Sequence, residues 1–185
     1  MLFSIYRVTK TRLAFMPLNK KIKTTALVIL VLLVIIQFYR PSRNLSNDDT
    51  YAIGKKYQVP DTVQAILKSS CYDCHSNNTV YPWYANIEPV SAWLANHIDE
   101  GKEHLNFSEF LTYRPNRQLH IIQGIKKAVK KDGMPISSYT LIHTYAKLSP
   151  GQKDQLYAWT DSVAATLKAT YPADSLVWKN KKKRD

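Results

Sequence analysis

Two cysteines and one histidine lie within five residues of one another, and their spacing points to a specific chemistry. The segment reads Cys71-Tyr72-Asp73-Cys74-His75, and the chain of 185 residues has no other cysteine. Thiols at i and i+3 share one helical turn, so both can add to the two vinyl groups of a porphyrin while the adjacent histidine binds the iron. The pattern therefore predicts one covalent c-type haem, held by Cys71 and Cys74, with His75 as the proximal iron ligand.

Three other uses of the two thiols stay open. A thioredoxin-type dithiol needs a preceding strand, whereas residues 61–68 have the apolar spacing of a helix. A structural zinc site needs two more ligands at close spacing, and six residues separate His97 from His104. A disulfide between Cys71 and Cys74 would leave the adjacent histidine unexplained.

The distal iron ligand is predicted to be Met134, the only methionine after residue 16. It stands in Gly133-Met134-Pro135, where the glycine is expected to leave the preceding helix in a left-handed turn and the proline to stiffen the loop. A thioether ligand favours ferrous iron and raises the reduction potential. The alternatives are an open sixth position or one of the other histidines, with His97 preferred because it lies on the apolar stripe of a predicted helix. The four histidines are His97, His104, His120 and His143.

The elements that must position these residues are predicted to be helices, at 61–74, 88–101, 116–131 and 150–168. Ser149 is expected to cap the last of them, with proline in its first turn. No convincing strand pattern appears, so residues 61–170 are predicted to form an all-α domain around the haem. Trp83 and Tyr84 follow the cysteine motif closely and are candidate haem contacts.

Charge is concentrated at the two ends of the chain. The formal net charge is +12, of which residues 1–23 carry +6 and residues 179–185 carry +4. The stretch between is nearly neutral, which argues against a nucleic-acid-binding face on the domain. The C-terminal residues 171–185 are predicted to be a solvated basic tail.

A run of 11 apolar residues at 26–36 follows the basic N-terminus. Residues 24–39 would span about 24 Å as a helix, against a bilayer core of about 30 Å. They are predicted to be a single-pass signal-anchor, with residues 1–23 in the cytoplasm, a polar linker at 40–60 and the domain in the periplasm. A cleaved signal peptide is the rival interpretation, and Met16 is an alternative translation start.

Beyond the motif, segments 70–75, 77–84, 97–101, 106–110, 133–139 and 147–149 resemble the bacterial haem-binding domain family. The resemblance covers about residues 55–168. Members carry one C-x-x-C-H and occur behind a membrane anchor or beside cytochrome c peroxidase modules. The order of haem helix, methionine loop and final helix is similar to class I cytochromes c. The resemblance implies haem attachment outside the cytoplasm.

The expected function is that of a membrane-anchored monohaem cytochrome that passes single electrons to redox partner proteins outside the cytoplasm. The chain is thus expected to be an electron carrier rather than an enzyme. Two alternatives stay open: a peroxidase-like enzyme with an open iron, and a haem-based redox or gas sensor.

Overall fold

The computed structural model describes residues 19–178, and the chain divides into two units after Tyr39. In the first unit, helix α1 runs over Lys20–Ile36, and Asn19 accepts a hydrogen bond from the backbone N–H of Lys21 at its start. The helix ends three residues before the predicted boundary at 39. Its large apolar side chains from Leu27 to Ile36 are all between 38% and 61% exposed within their own unit.

None of the helices in residues 19–178 has both the length and the apolar character needed to cross a membrane. The transmembrane segment expected at 24–39 is therefore not supported by the structure. The proposed start at Met16, most of the basic N-terminus and the basic end of the C-terminal tail lie outside the described residues.

The second unit is all-helical over its described residues, as predicted. Its helices are α2 (Asp61–Ser70), α3 (Tyr72–His75), α4 (Val90–His104), α5 (Pro115–Lys130), α6 (Ser137–Ile142) and α7 (Pro150–Thr170). Short 3-10 turns precede, separate or follow them, at Ile53–Lys55, Trp83–Asn86, Phe107–Thr112, Thr144–Ala146 and Ala173–Leu176. Ser149 caps α7 as expected: its hydroxyl oxygen accepts the N–H of Gln152, and its own N–H donates to Gln152 Oε1, which completes a capping box.

Several helix boundaries differ from the sequence predictions. The helix expected at 61–74 is interrupted at Cys71, whose backbone (φ −131°, ψ −43°) separates α2 from α3. Gly101 does not end α4, which continues to His104. The left-handed residue after α5 is Asp132 (φ 54°) and not Gly133. Aspartate tolerates this conformation, and the Gly133 N–H then donates to the carbonyl of Ala128 at 2.9 Å.

The core lies where α7 packs against α2 and α5, and it includes Phe107 and Phe110 of the 3-10 turn that begins at Phe107. Trp159 is buried and its indole N–H donates to the carbonyl of Gln58 at 3.1 Å. The fully buried apolar side chains of this cluster include Leu67, Phe110, Ile122, Leu156 and Leu167.

The segment at 40–60, expected to be a linker, packs within the second unit. Ile53 and Tyr57 are only 2% and 3% exposed and belong to the core. The Tyr57 hydroxyl also donates to Gln118 Oε1 at 2.7 Å. Upstream, Leu45 forms an isolated antiparallel bridge with Asn78. The segment therefore reaches the residues that follow the cysteine motif.

Candidate haem-binding site

The cysteine motif forms one tight helical turn at the end of α2. The Cys71 N–H continues the α2 ladder to the Leu67 carbonyl at 2.9 Å, and the N–H groups of Cys74 and His75 both donate to the Cys71 carbonyl. Both thiols are free and half-buried. Burial raises the pKa of Cys71 to about 12 and that of Cys74 to about 11, so both are protonated at neutral pH.

His75 is oriented by the C-terminal turn of α4. Its Nδ1 lies 2.9 Å from the Gly101 carbonyl oxygen and 3.0 Å from that of Leu105. Because carbonyl oxygens only accept, Nδ1 carries the hydrogen and Nε2 has the free lone pair that a metal needs. Burial lowers the pKa of His75, which favours this neutral form.

Gly101 permits the close approach of α4 to the motif. A Cβ atom at this position would lie 2.6 Å from the Cys74 carbonyl oxygen and 3.2 Å from the Cys74 Cβ. Contacts this short would force one backbone away from the other. The missing side chain therefore lets the Gly101 carbonyl reach His75.

Buried asparagines hold the chain after the motif. Asn106 Nδ2 donates to Asn77 Oδ1 at 2.8 Å, and Asn77 Nδ2 donates to the carbonyl of Asp48 at 2.9 Å. Asn44 Nδ2 donates to the carbonyl of Ser76 at 2.8 Å. Sequence reasoning gave these asparagines no role, although Asn77 and Asn106 lie in segments that resemble the family. The only sequence feature that could have indicated their role is that Asn77 closely follows the cysteine motif and that Asn106 lies in another segment resembling the family.

The candidate aromatic contacts lie on the 3-10 turn after the motif. Trp83 is 76% exposed and makes an edge contact with Tyr84. The Tyr84 hydroxyl lies 2.5 Å from His143 Nε2, and His143 Nδ1 lies 2.8 Å from the Tyr145 hydroxyl. The structure thus joins residues 83–84 to the chain that follows α6.

Met134 lies in the loop between α5 and α6 and is 40% exposed. The loop is connected to the cysteine motif through α6, because the Tyr139 hydroxyl donates to Asp73 Oδ2 at 2.7 Å. His97, the alternative ligand, bonds instead to its own helix. Its Nδ1 is 3.0 Å from the Trp93 carbonyl oxygen, and its ring lies 4.1 Å from the Trp93 ring.

The sequence model of a protein family, described as a haem-binding domain, matches residues 31–162, well over half of the chain. The chain belongs to the haem-binding domain family. Haem is thus its cofactor, as the motif predicts. Neither the curated proteins nor the solved structures include a match to the chain.

The residues of this haem-binding domain suit the cofactor chemically. His75 offers an unprotonated Nε2, and two thiols stand on the same turn. Several large apolar side chains that lie near the motif or α6 in sequence are exposed. They are Val80, Trp83, Met134, Leu141, Ile142 and Tyr145.

The described part of the chain lacks the features that the competing uses of the cysteines require. Residues 19–178 contain no strand, which the thioredoxin-type alternative requires. Across the same residues, no group of three or more His, Cys, Asp or Glu side chains is placed to hold a metal ion. A structural zinc site would need such a group.

Proposed function

We propose that this haem-binding protein is a monohaem c-type cytochrome that carries single electrons outside the cytoplasm. Thioether bonds to Cys71 and Cys74 would fix the haem, and His75 would bind the iron. The observation that carries the proposal is the orientation of His75, whose Nδ1–H is engaged by two carbonyls beside two thiols on one turn. The haem would supply reversible exchange of one electron at the iron.

The protein's own contribution is to orient and tune the iron ligands. Two carbonyl acceptors on the Nδ1 hydrogen make the imidazole of His75 a stronger electron donor and fix its ring plane. Met134 is proposed as the distal ligand, where a thioether would raise the reduction potential. His97 is the alternative, because its Nδ1 lies 3.0 Å from the Trp93 carbonyl oxygen and this contact leaves Nε2 for a metal, as at His75.

Trp83 and Tyr84 are proposed to contact the porphyrin. Trp83 is largely exposed, so its indole surface is available to an apolar ligand. Tyr84 is fixed at its hydroxyl by His143. Contact with both rings would exclude water from the haem and so favour the less charged ferrous state.

A second part of the proposal is that α1 anchors the protein in the cytoplasmic membrane, with the haem domain in the periplasm. The support is that the large apolar side chains of α1, from Leu27 to Ile36, are all exposed. Its 17 residues correspond to about 25 Å, although the first four include Lys20, Lys21 and Lys23, and Phe38 and Tyr39 follow the apolar run after Gln37. Fractionation tests this part: we expect the full-length protein with the membranes, and recovery in the periplasmic extract would contradict the anchor.

Spectroscopy and ligand binding test the electron carrier. Full-length protein from cells that mature c-type haem should be reduced and reoxidised reversibly by one electron. It should also show the far-red band of a sulfur–iron bond. Met134→Ala should abolish that band, while Leu141→Ala, which removes another exposed apolar side chain, should retain it. Rapid binding of carbon monoxide to the unaltered protein would contradict the carrier and favour the peroxidase-like or sensor function.

A further inference from the structure

The segment that carries Met134 is held at its upstream end by α5 and α7. The Gly133 N–H donates to the Ala128 carbonyl in the last turn of α5. Asp132, one residue before, forms an ion pair with Lys153 of α7. The start of the segment is thus fixed to two long helices.

The downstream end is held by a different contact, across 66 residues of sequence. The Tyr139 hydroxyl, in the first turn of α6, donates to Asp73 Oδ2 at 2.7 Å. The other oxygen, Asp73 Oδ1, accepts the N–H of Val80 at 3.1 Å. Asp73 lies between the two cysteines, so this hydrogen bond joins the Met134 segment (residues 131–136 between α5 and α6) to the turn at 71–75, called here the haem-attachment turn.

The ring of Tyr139 is restrained as well as its hydroxyl. It stacks on the ring of His143, with centroids 4.4 Å apart and planes 21° from parallel. His143 is in turn bonded to the hydroxyls of Tyr84 and Tyr145. A hydroxyl donor on so restrained a ring loses little conformational entropy when it binds Asp73.

We propose that the Asp73–Tyr139 hydrogen bond keeps the Met134 segment beside the haem-attachment turn, which makes Tyr139 a positioning residue for the distal ligand. The inference rests on the proposed function, since it requires Met134 to bind the iron. Without this bond, α6 can move away from the turn that carries Cys71 and Cys74, and Met134 dissociates from the iron more often. The bond joins a hydroxyl to a partly exposed carboxylate, so its loss should raise the dissociated fraction about tenfold, equivalent to about 1.4 kcal/mol.

Imidazole binding to the ferric full-length protein measures that dissociated fraction, because imidazole enters only when the sulfur has left. Tyr139→Phe should bind imidazole about tenfold more tightly than the unaltered protein and lose the sulfur–iron band at lower urea. Tyr171→Phe is the matched control, since it also removes one tyrosine hydroxyl bond, that with Lys56 Nζ. It should leave imidazole affinity unchanged.

A double-mutant cycle shows whether Tyr139 acts through Asp73. In the Asp73→Ala background, Tyr139→Phe should have no further effect on imidazole affinity. Additive effects, or a Tyr139→Phe protein with unchanged affinity and an intact sulfur–iron band, would overturn the positioning role alone. If Met134→Ala binds imidazole no more tightly than the unaltered protein, Met134 is not the distal ligand, and the positioning role of Tyr139 falls with that assignment, whereas haem attachment at the cysteines and iron binding by His75 stand.

Discussion

Replacing Gly101 with alanine tests the contact between α4 and the cysteine motif. The new methyl group would meet the Cys74 carbonyl oxygen at 2.6 Å and the Cys74 Cβ at 3.2 Å. The nearest of these is backbone, which cannot rotate away, so the helix or the motif must shift. Overpacking of this kind costs about 1–3 kcal/mol. The better helix propensity of alanine returns about 1 kcal/mol.

We therefore expect Gly101→Ala to lower the free energy of unfolding by about 2 kcal/mol, because a contact as short as 2.6 Å brings the upper overpacking cost and the gain in helix propensity offsets about 1 kcal/mol of it. Gly124→Ala is the matched control in α5, because a Cβ there meets nothing within 4 Å. It should raise the free energy of unfolding by about 1 kcal/mol.

Urea denaturation followed by tryptophan fluorescence compares the two variants, with Trp159 reporting from the core. The Gly101→Ala protein should also show a changed haem spectrum, because a shifted α4 moves the two carbonyls that orient His75. If both alanine variants are stabilised equally and their spectra are unchanged, the close approach of α4 to Cys74 is wrong.

Two further predictions concern the framework around the site. Phe110→Ala should lower the free energy of unfolding by about 3–5 kcal/mol, because Phe110 is fully buried between Tyr57 and Tyr113; a loss below about 1 kcal/mol in urea titration would contradict this packing. Ser149→Ala should cost about 1 kcal/mol through loss of the α7 cap, whereas Ser149→Asp should retain most of the stability. Equal melting of both serine variants would argue against the cap.

The parts of the fold that were predictable from sequence depend on local patterns. Spacing of apolar residues located α2, α5 and α7, and the Ser149-Pro150 pair marked the start of the last helix. Helix α6 has only six residues, too few for a periodic pattern to be recognised. The packing of residues 40–60 was also missed, since the two core residues, Ile53 and Tyr57, stand in a mostly polar stretch without a helical apolar pattern.

The site divides in the same way. Cys71, Cys74 and His75 are adjacent in sequence, so their spacing alone predicts the haem, which family membership supports. The carbonyls that orient His75 lie 26 and 30 residues away. Every residue has a carbonyl group, so no residue type marks those two. The Asp73–Tyr139 bond likewise becomes visible only when α6 is placed against the motif.

The mass of the denatured protein tests covalent haem attachment most directly. Full-length protein should be produced in cells that mature c-type haem, then unfolded and weighed intact beside a Cys71→Ala, Cys74→Ala double variant. We predict a polypeptide that retains the mass of one haem, and a double variant that loses it. A polypeptide that carries no added mass and has two reactive thiols would contradict the account.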